Sequence, residues 1–124
     1  MTLNSPHDSA VFNLPGVTFT TCASPSRGSQ ENSVWKVRIA PGTRPHLHRV
    51  TREEIFVAVK GAGSALVAGK PLAVTAGATL VVPANTEFGL GNDSDGDFEA
   101  IVVLPVGGAA IDGDAGPFVP PWAA

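Results

Sequence analysis

No stretch of this chain keeps apolar residues at the three- and four-residue spacing of a helix for long before a glycine or proline interrupts it. The 124 residues include 14 glycines and 11 prolines without a fixed period, and apolar residues run through the whole length. That combination predicts many short strands joined by turns, not long helices and not disorder.

Residues 34–40 alternate most cleanly, with Trp35, Val37 and Ile39 on one face and Lys36 and Arg38 on the other, until Pro41-Gly42 ends the run. Residues 17–22 form a candidate strand after Pro15-Gly16, and residues 54–60 a β-branched one that stops at Gly61. Residues 64–67 and 72–74 flank Ala68-Gly69-Lys70-Pro71, which reads as a hairpin turn. Residues 79–82, 87–90 and 98–104 complete the series. The polar loop from Asn92 to Asp97 lacks the helix-flanked order and closing glutamate of an EF-hand and reads as a solvated turn. Strands at this spacing, without βα alternation, define an all-β sandwich or closed barrel. The segment 113–124 carries three prolines with Phe118 and Trp122. Two large aromatics seldom stay in water, so this tail is expected to pack on the barrel or on a partner subunit.

A net charge of −3 leaves no basic footprint for nucleic acid. Arg44, Arg49 and Arg52 are interleaved with His and Glu and read as a solvated loop beside the barrel mouth. No stretch approaches the roughly 20 apolar residues of a membrane helix, and the N-terminal residues lack the basic start and apolar run of a signal peptide. Cys22 is the single cysteine, which excludes an intramolecular disulfide and points to a cytoplasmic setting. In its apolar, Thr-rich stretch Cys22 is expected to be a small buried hydrophobe and not a nucleophile.

Chemistry concentrates at His46-Leu47-His48, followed by Glu53-Glu54. On a strand, residues two apart share a face about 6–7 Å apart, and two imidazoles so placed can converge on one metal at about 2 Å. Neighbouring glutamates face opposite ways, so only one of Glu53 and Glu54 can join the histidines. A buried, unpaired carboxylate is costly, and metal binding or hydrogen bonding would offset that cost. Spacing alone leaves equal room for a solvated rim with no metal.

Gly42, His46-Leu47-His48, Glu54 and Gly61 together resemble the first cupin motif. Gly77, Pro83, Asn85, Phe88 and Asn92 follow the spacing of the second, across a fifteen-residue linker similar to that of compact bacterial cupins. Asn85 stands where a glycine is usual, and Phe88 where a histidine is usual. The gap from His48 to Glu54 is one residue longer than usual, while the spacing to Gly61 favours Glu54 over Glu53.

The resemblance implies a single cupin jelly-roll β-barrel within residues 1–124, its core at about 34–104, with an N-terminal strand extension and the aromatic tail. It further implies a divalent metal (Fe, Zn, Mn or Ni) on His46, His48 and Glu54, with Trp35, Phe56, Ala58, Leu80, Val82 and Phe88 as walls of a pocket for a small organic substrate. Oxygenase, isomerase, lyase or cyclase chemistry would follow. Sugar epimerases with a tyrosine acid are disfavoured, because the chain has no tyrosine. The competing expectation is a metal-free pocket, part-filled by Phe88, that binds an apolar ligand without catalysis. No general base is evident: His7 lies in a polar N-terminal stretch, and Glu87 would face away from the site. Homodimerisation is expected from the resemblance, through an outer sheet face, with the Phe118–Trp122 tail as a further candidate contact.

Overall fold

The computed structural model describes all 124 residues as a β-barrel with short single-turn 3-10 segments and no α-helix. The strands are β1 (Val11–Leu14), β2 (Val17–Ala23), β3 (Asn32–Ile39), β4 (Arg49–Val50), β5 (Glu54–Lys60), β6 (Ala62–Val67), β7 (Lys70–Thr75), β8 (Thr79–Val82), β9 (Phe88–Gly91), β10 (Phe98–Pro105) and β11 (Ala110–Ile111). A six-stranded sheet in the order β1-β2-β3-β10-β5-β8 faces a three-stranded sheet ordered β7-β6-β9, and β4 and β11 form a small pair. All pairings are antiparallel, as a jelly roll requires.

Period-two patterning sets which side chains meet inside. On β3, Trp35, Val37 and Ile39 are buried while Lys36 and Arg38 face out. Register then aligns Phe56, Val102, Trp35 and Thr21 in one inward row across β5, β10, β3 and β2. The next row is Ala58, Ala100, Val37 and Phe19. Outside, Lys36 and Lys60 both reach Glu99, at 3.2 and 3.7 Å.

Several expected details differ. The β6–β7 turn is only two residues long, Ala68 (φ 49°) and Gly69 (φ 78°), with Val67 opposite Lys70. Two left-handed residues match the twist of a tight hairpin. Lys70 and Pro71 therefore begin β7, and Pro71 is tolerated because β7 is a sheet edge. Cys22 is exposed, contrary to expectation. Alternation from inward Phe19 places Thr21 inside and Cys22 outside, and Cys22 is the extra residue where the β2–β3 register shifts between Thr21 and Ala23. The Asn92–Asp97 loop is solvated at Asp93 and Asp95, yet Asn92 itself is buried. Its Nδ2 donates to the carbonyls of Ile39 and Gly96, and its Oδ1 accepts from the Ser94 amide and hydroxyl. Asn92 thus acts as the internal tie of the loop. Asn85 takes φ 61°, the left-handed conformation that a glycine would otherwise supply.

The C-terminal tail packs on its own barrel. The Trp122 ring stacks on Phe19 with centroids 3.6 Å apart and planes 5° from parallel. Thr21 Oγ1 donates to the Trp122 carbonyl at 2.8 Å, and buried Ser33 Oγ donates to the Ala123 carbonyl at 2.6 Å. These two hydroxyls, both inward on β2 and β3, hold the tail across the open end of the six-stranded sheet.

Candidate metal and ligand site

The segment carrying the histidines is not a regular strand. Its ladder pairing is limited to two isolated bridges, His48 opposite Phe88 on β9 and Thr43 opposite Asn92 just beyond it. Five residue steps on one side span four on the other, so one extra residue is accommodated between them. Despite that slip, His46 and His48 stay on the same cavity, and their rings lie 20° from parallel. Gly89 and Gly91 permit the close passage: a Cβ at Gly89 would lie 2.8 Å from the His46 carbonyl oxygen, and one at Gly91 2.7 Å from Pro45 Cδ.

His48 is half-buried and tied to Phe88 by reciprocal backbone hydrogen bonds of 2.9 Å. Its Nδ1 bonds the His46 carbonyl at 2.9 Å. Burial lowers the His48 pKa, partly countered by that carbonyl, and favours the neutral ring. The His46 side chain is exposed, and its Nε2 meets Asp112 Oδ2 at 2.9 Å. The two imidazole centroids are 6.4 Å apart.

Glu54 opens β5 and is 5% exposed, whereas Glu53 is exposed. Burial alone pushes the Glu54 carboxyl up to about 8, with no charged or hydrogen-bonding partner contributing. Glu87 is exposed, as its position beside Phe88 dictates.

His46, His48 and Glu54 all line one cavity of about 460 Å3. No three His, Cys, Asp or Glu side chains stand close enough to share a metal ion, because His46 is turned to Asp112. Of the expected walls, Trp35, Phe56 and Phe88 line the cavity, while Ala58, Leu80 and Val82 do not. Ala58 packs in the core. Leu80 and Val82 lie opposite Phe56 and Glu54 on β8, the edge strand beyond β5, away from the cavity's extension toward β2.

Other walls escaped the sequence reading, namely Phe19, Phe118, Trp122 and Asp112, while Arg44, expected beside the barrel mouth, also lines the cavity. The aromatic tail carried the one usable signal. Asp112 pairs across 66 positions with His46, a distance that no local pattern encodes.

The sequence profile of the cupin domain matches residues 35–104, so the chain belongs to the cupin family. Auxin-binding protein 1 of Arabidopsis thaliana is 30% identical over 103 residues, covering 75% of this chain and 52% of that protein. The chain thus spans about half the length of this curated relative. Among solved structures, the polyketide cyclase RemF from Streptomyces resistomycificus superposes with TM-score 0.79 at 14% identity, covering 94% of this chain and 87% of that one. An RmlC-like cupin from Shewanella frigidimarina gives TM-score 0.70 at 15% identity, covering 83% and 88%. At such identities the structures establish the shared fold.

Proposed function

We propose that this cupin takes a small, largely apolar organic molecule into the barrel cavity and acts on it with a divalent metal (Fe, Zn, Mn or Ni) held by His48, Glu54 and His46. The observation that carries the reading is Glu54, a buried carboxyl with no partner in the cavity wall that also bears His48. A buried carboxyl without a partner is unfavourable as an anion, and a cation offsets that cost. His48, held neutral, has the protonation state a metal ligand needs. The donor chemistry therefore fits, with His46 joining once its Nε2 leaves Asp112. Two histidines and a carboxylate also leave coordination positions open for substrate.

A bound metal would supply Lewis-acid polarisation of a substrate oxygen, or redox chemistry, according to its identity. The chain's own contribution is an apolar wall that excludes water, and a Glu54 carboxyl that keeps its proton until a cation replaces it. Oxygenase, isomerase, lyase and cyclase chemistry all suit such a site. The relative named as an auxin-binding protein is compatible with a small-molecule ligand. The reading treats the 124 residues as one domain, working as a homodimer in the cytoplasm.

Phe88 favours a second reading. Its ring lies 4.5 Å from the His48 ring, at the position of the family's third histidine. In that case the cavity is metal-free and binds an apolar ligand without catalysis.

Metal content of untagged protein purified without chelator decides between them, measured beside His48→Ala and Glu54→Gln. Near-stoichiometric metal that both variants lose supports the metal site. Absence of metal even after incubation with Fe(II), Zn(II), Mn(II) and Ni(II) overturns it in favour of the metal-free binder.

A further inference from the structure

Six of the chain's eight aromatic side chains line this one cavity: Phe19, Trp35, Phe56, Phe88, Phe118 and Trp122. Protein interiors rarely leave voids much larger than a water molecule, so an apolar-walled space of about 460 Å3 has the character of a ligand pocket. Its walls are not uniform. At one end, Phe19 on β2 and Trp122 in the tail stack face to face, 3.6 Å apart. At the other, Phe56 on β5 meets Phe88 edge-on with centroids 5.8 Å apart, in the wall that also holds His48 and Glu54. β2 and β5 are three strand spacings apart in the sheet, about 14 Å.

We infer that the ligand class of this cavity is a flat aromatic molecule carrying one oxygen function, its rings lying toward the Phe19–Trp122 stack and its oxygen toward His48 and Glu54. The inference rests on the reading that a small organic molecule enters the barrel. The selecting residues lie outside the family core at 35–104: Phe19 comes from the N-terminal hairpin, and Phe118 and Trp122 from the tail. The stack is held rigid. Thr21 and Ser33 fix the backbone at Trp122 and Ala123, and Phe12 packs at 6.4 Å on Trp122. A pre-formed aromatic plane favours a flat π-face over a puckered ring of similar size, because offset-stacked and edge-to-face contacts add to simple burial.

Calorimetric titration of the whole protein with 2-naphthol and with decahydro-2-naphthol tests this. The two share a carbon skeleton and a hydroxyl and differ in flatness and π-character. Tighter binding of 2-naphthol, by roughly three- to ten-fold, is expected. Trp122→Leu should abolish that preference while still binding both, and Trp122→Phe should restore most of it. Equal affinity for the two compounds overturns the aromatic class but leaves the cavity as a binding site. Failure of both compounds to bind overturns the inference together with the reading beneath it. Preference retained in a folded Trp122→Leu protein removes the stack as selector.

Discussion

His48 and Phe88 exchange backbone hydrogen bonds of 2.9 Å in both directions and hold their rings 4.5 Å apart. An imidazole at position 88 would therefore stand beside an existing ligand candidate on a backbone already fixed. Phe88→His is expected to raise zinc affinity at least about tenfold, since each added ligand contributes a share of the binding free energy. Without metal it should lower stability by about 1–3 kcal/mol, because a polar ring replaces a side chain that is 1% exposed. Thermal unfolding with and without zinc checks both: a melting temperature equally insensitive to zinc in parent and variant would show that this wall does not hold a cation.

Glu54 gives the fold a pH dependence of definite sign. Its carboxyl is raised from the ordinary 4.5 to about 8. The folded state therefore holds a proton that the unfolded chain has released, and stability falls as pH rises from about 4.5 to 8. His48, with its pKa lowered, acts in the opposite direction, but only at and below the ordinary value of 6.5. Between pH 7 and 8.5 Glu54 dominates of the two, and a loss of about 1 kcal/mol is expected in metal-free protein. Glu54→Gln should flatten that slope. Urea unfolding in chelator at the two pH values measures it, and a slope unchanged by the substitution would place its origin elsewhere.

The strands were legible because the alternation on β3 and the β-branched run of β5 reflect burial on one face, a local property of the sequence. The spacing to Gly61 favours Glu54 over Glu53, and the structure buries Glu54 and exposes Glu53. What the sequence hid was irregular backbone. An extra residue is accommodated between Thr43 and His48, where His46 Nε2 meets Asp112, and a bulge at Cys22 interrupts the β2–β3 register. Both are departures from period two, and nothing in the identity of the inserted residue announces them. The tail's two aromatics signalled that it packs on something, but not that Trp122 meets Phe19, a contact across most of the chain.

The His46–Asp112 pair is exposed on both sides, so it adds at most about 1 kcal/mol to stability. Asp112→Asn should leave the melting temperature nearly unchanged. If Asp112 competes with a metal for His46 Nε2, the same variant should bind zinc a few-fold more tightly. Weaker binding in a competition titration would instead show that Asp112 helps to hold His46 in a ligating position.

Ending the chain after Gly116 removes Phe118 and the Trp122 ring, and leaves buried Ser33 without the Ala123 carbonyl. Exposure of the Phe19 face and loss of that hydrogen bond should destabilise the protein by about 2–5 kcal/mol. The tail packs on its own barrel, so the truncation should leave the proposed dimer's mass unchanged. The outer face of the six-stranded sheet is a better candidate for that interface. Val57, Val59 and Val81 are exposed there on adjacent strands, with Ile101 opposite Val57. Exposed apolar side chains grouped in this way mark contact surfaces. Val57→Glu with Val81→Glu should halve the mass seen by light scattering in protein that keeps its β-sheet circular dichroism. A mass that falls on tail truncation and withstands the double substitution would move the interface to the tail.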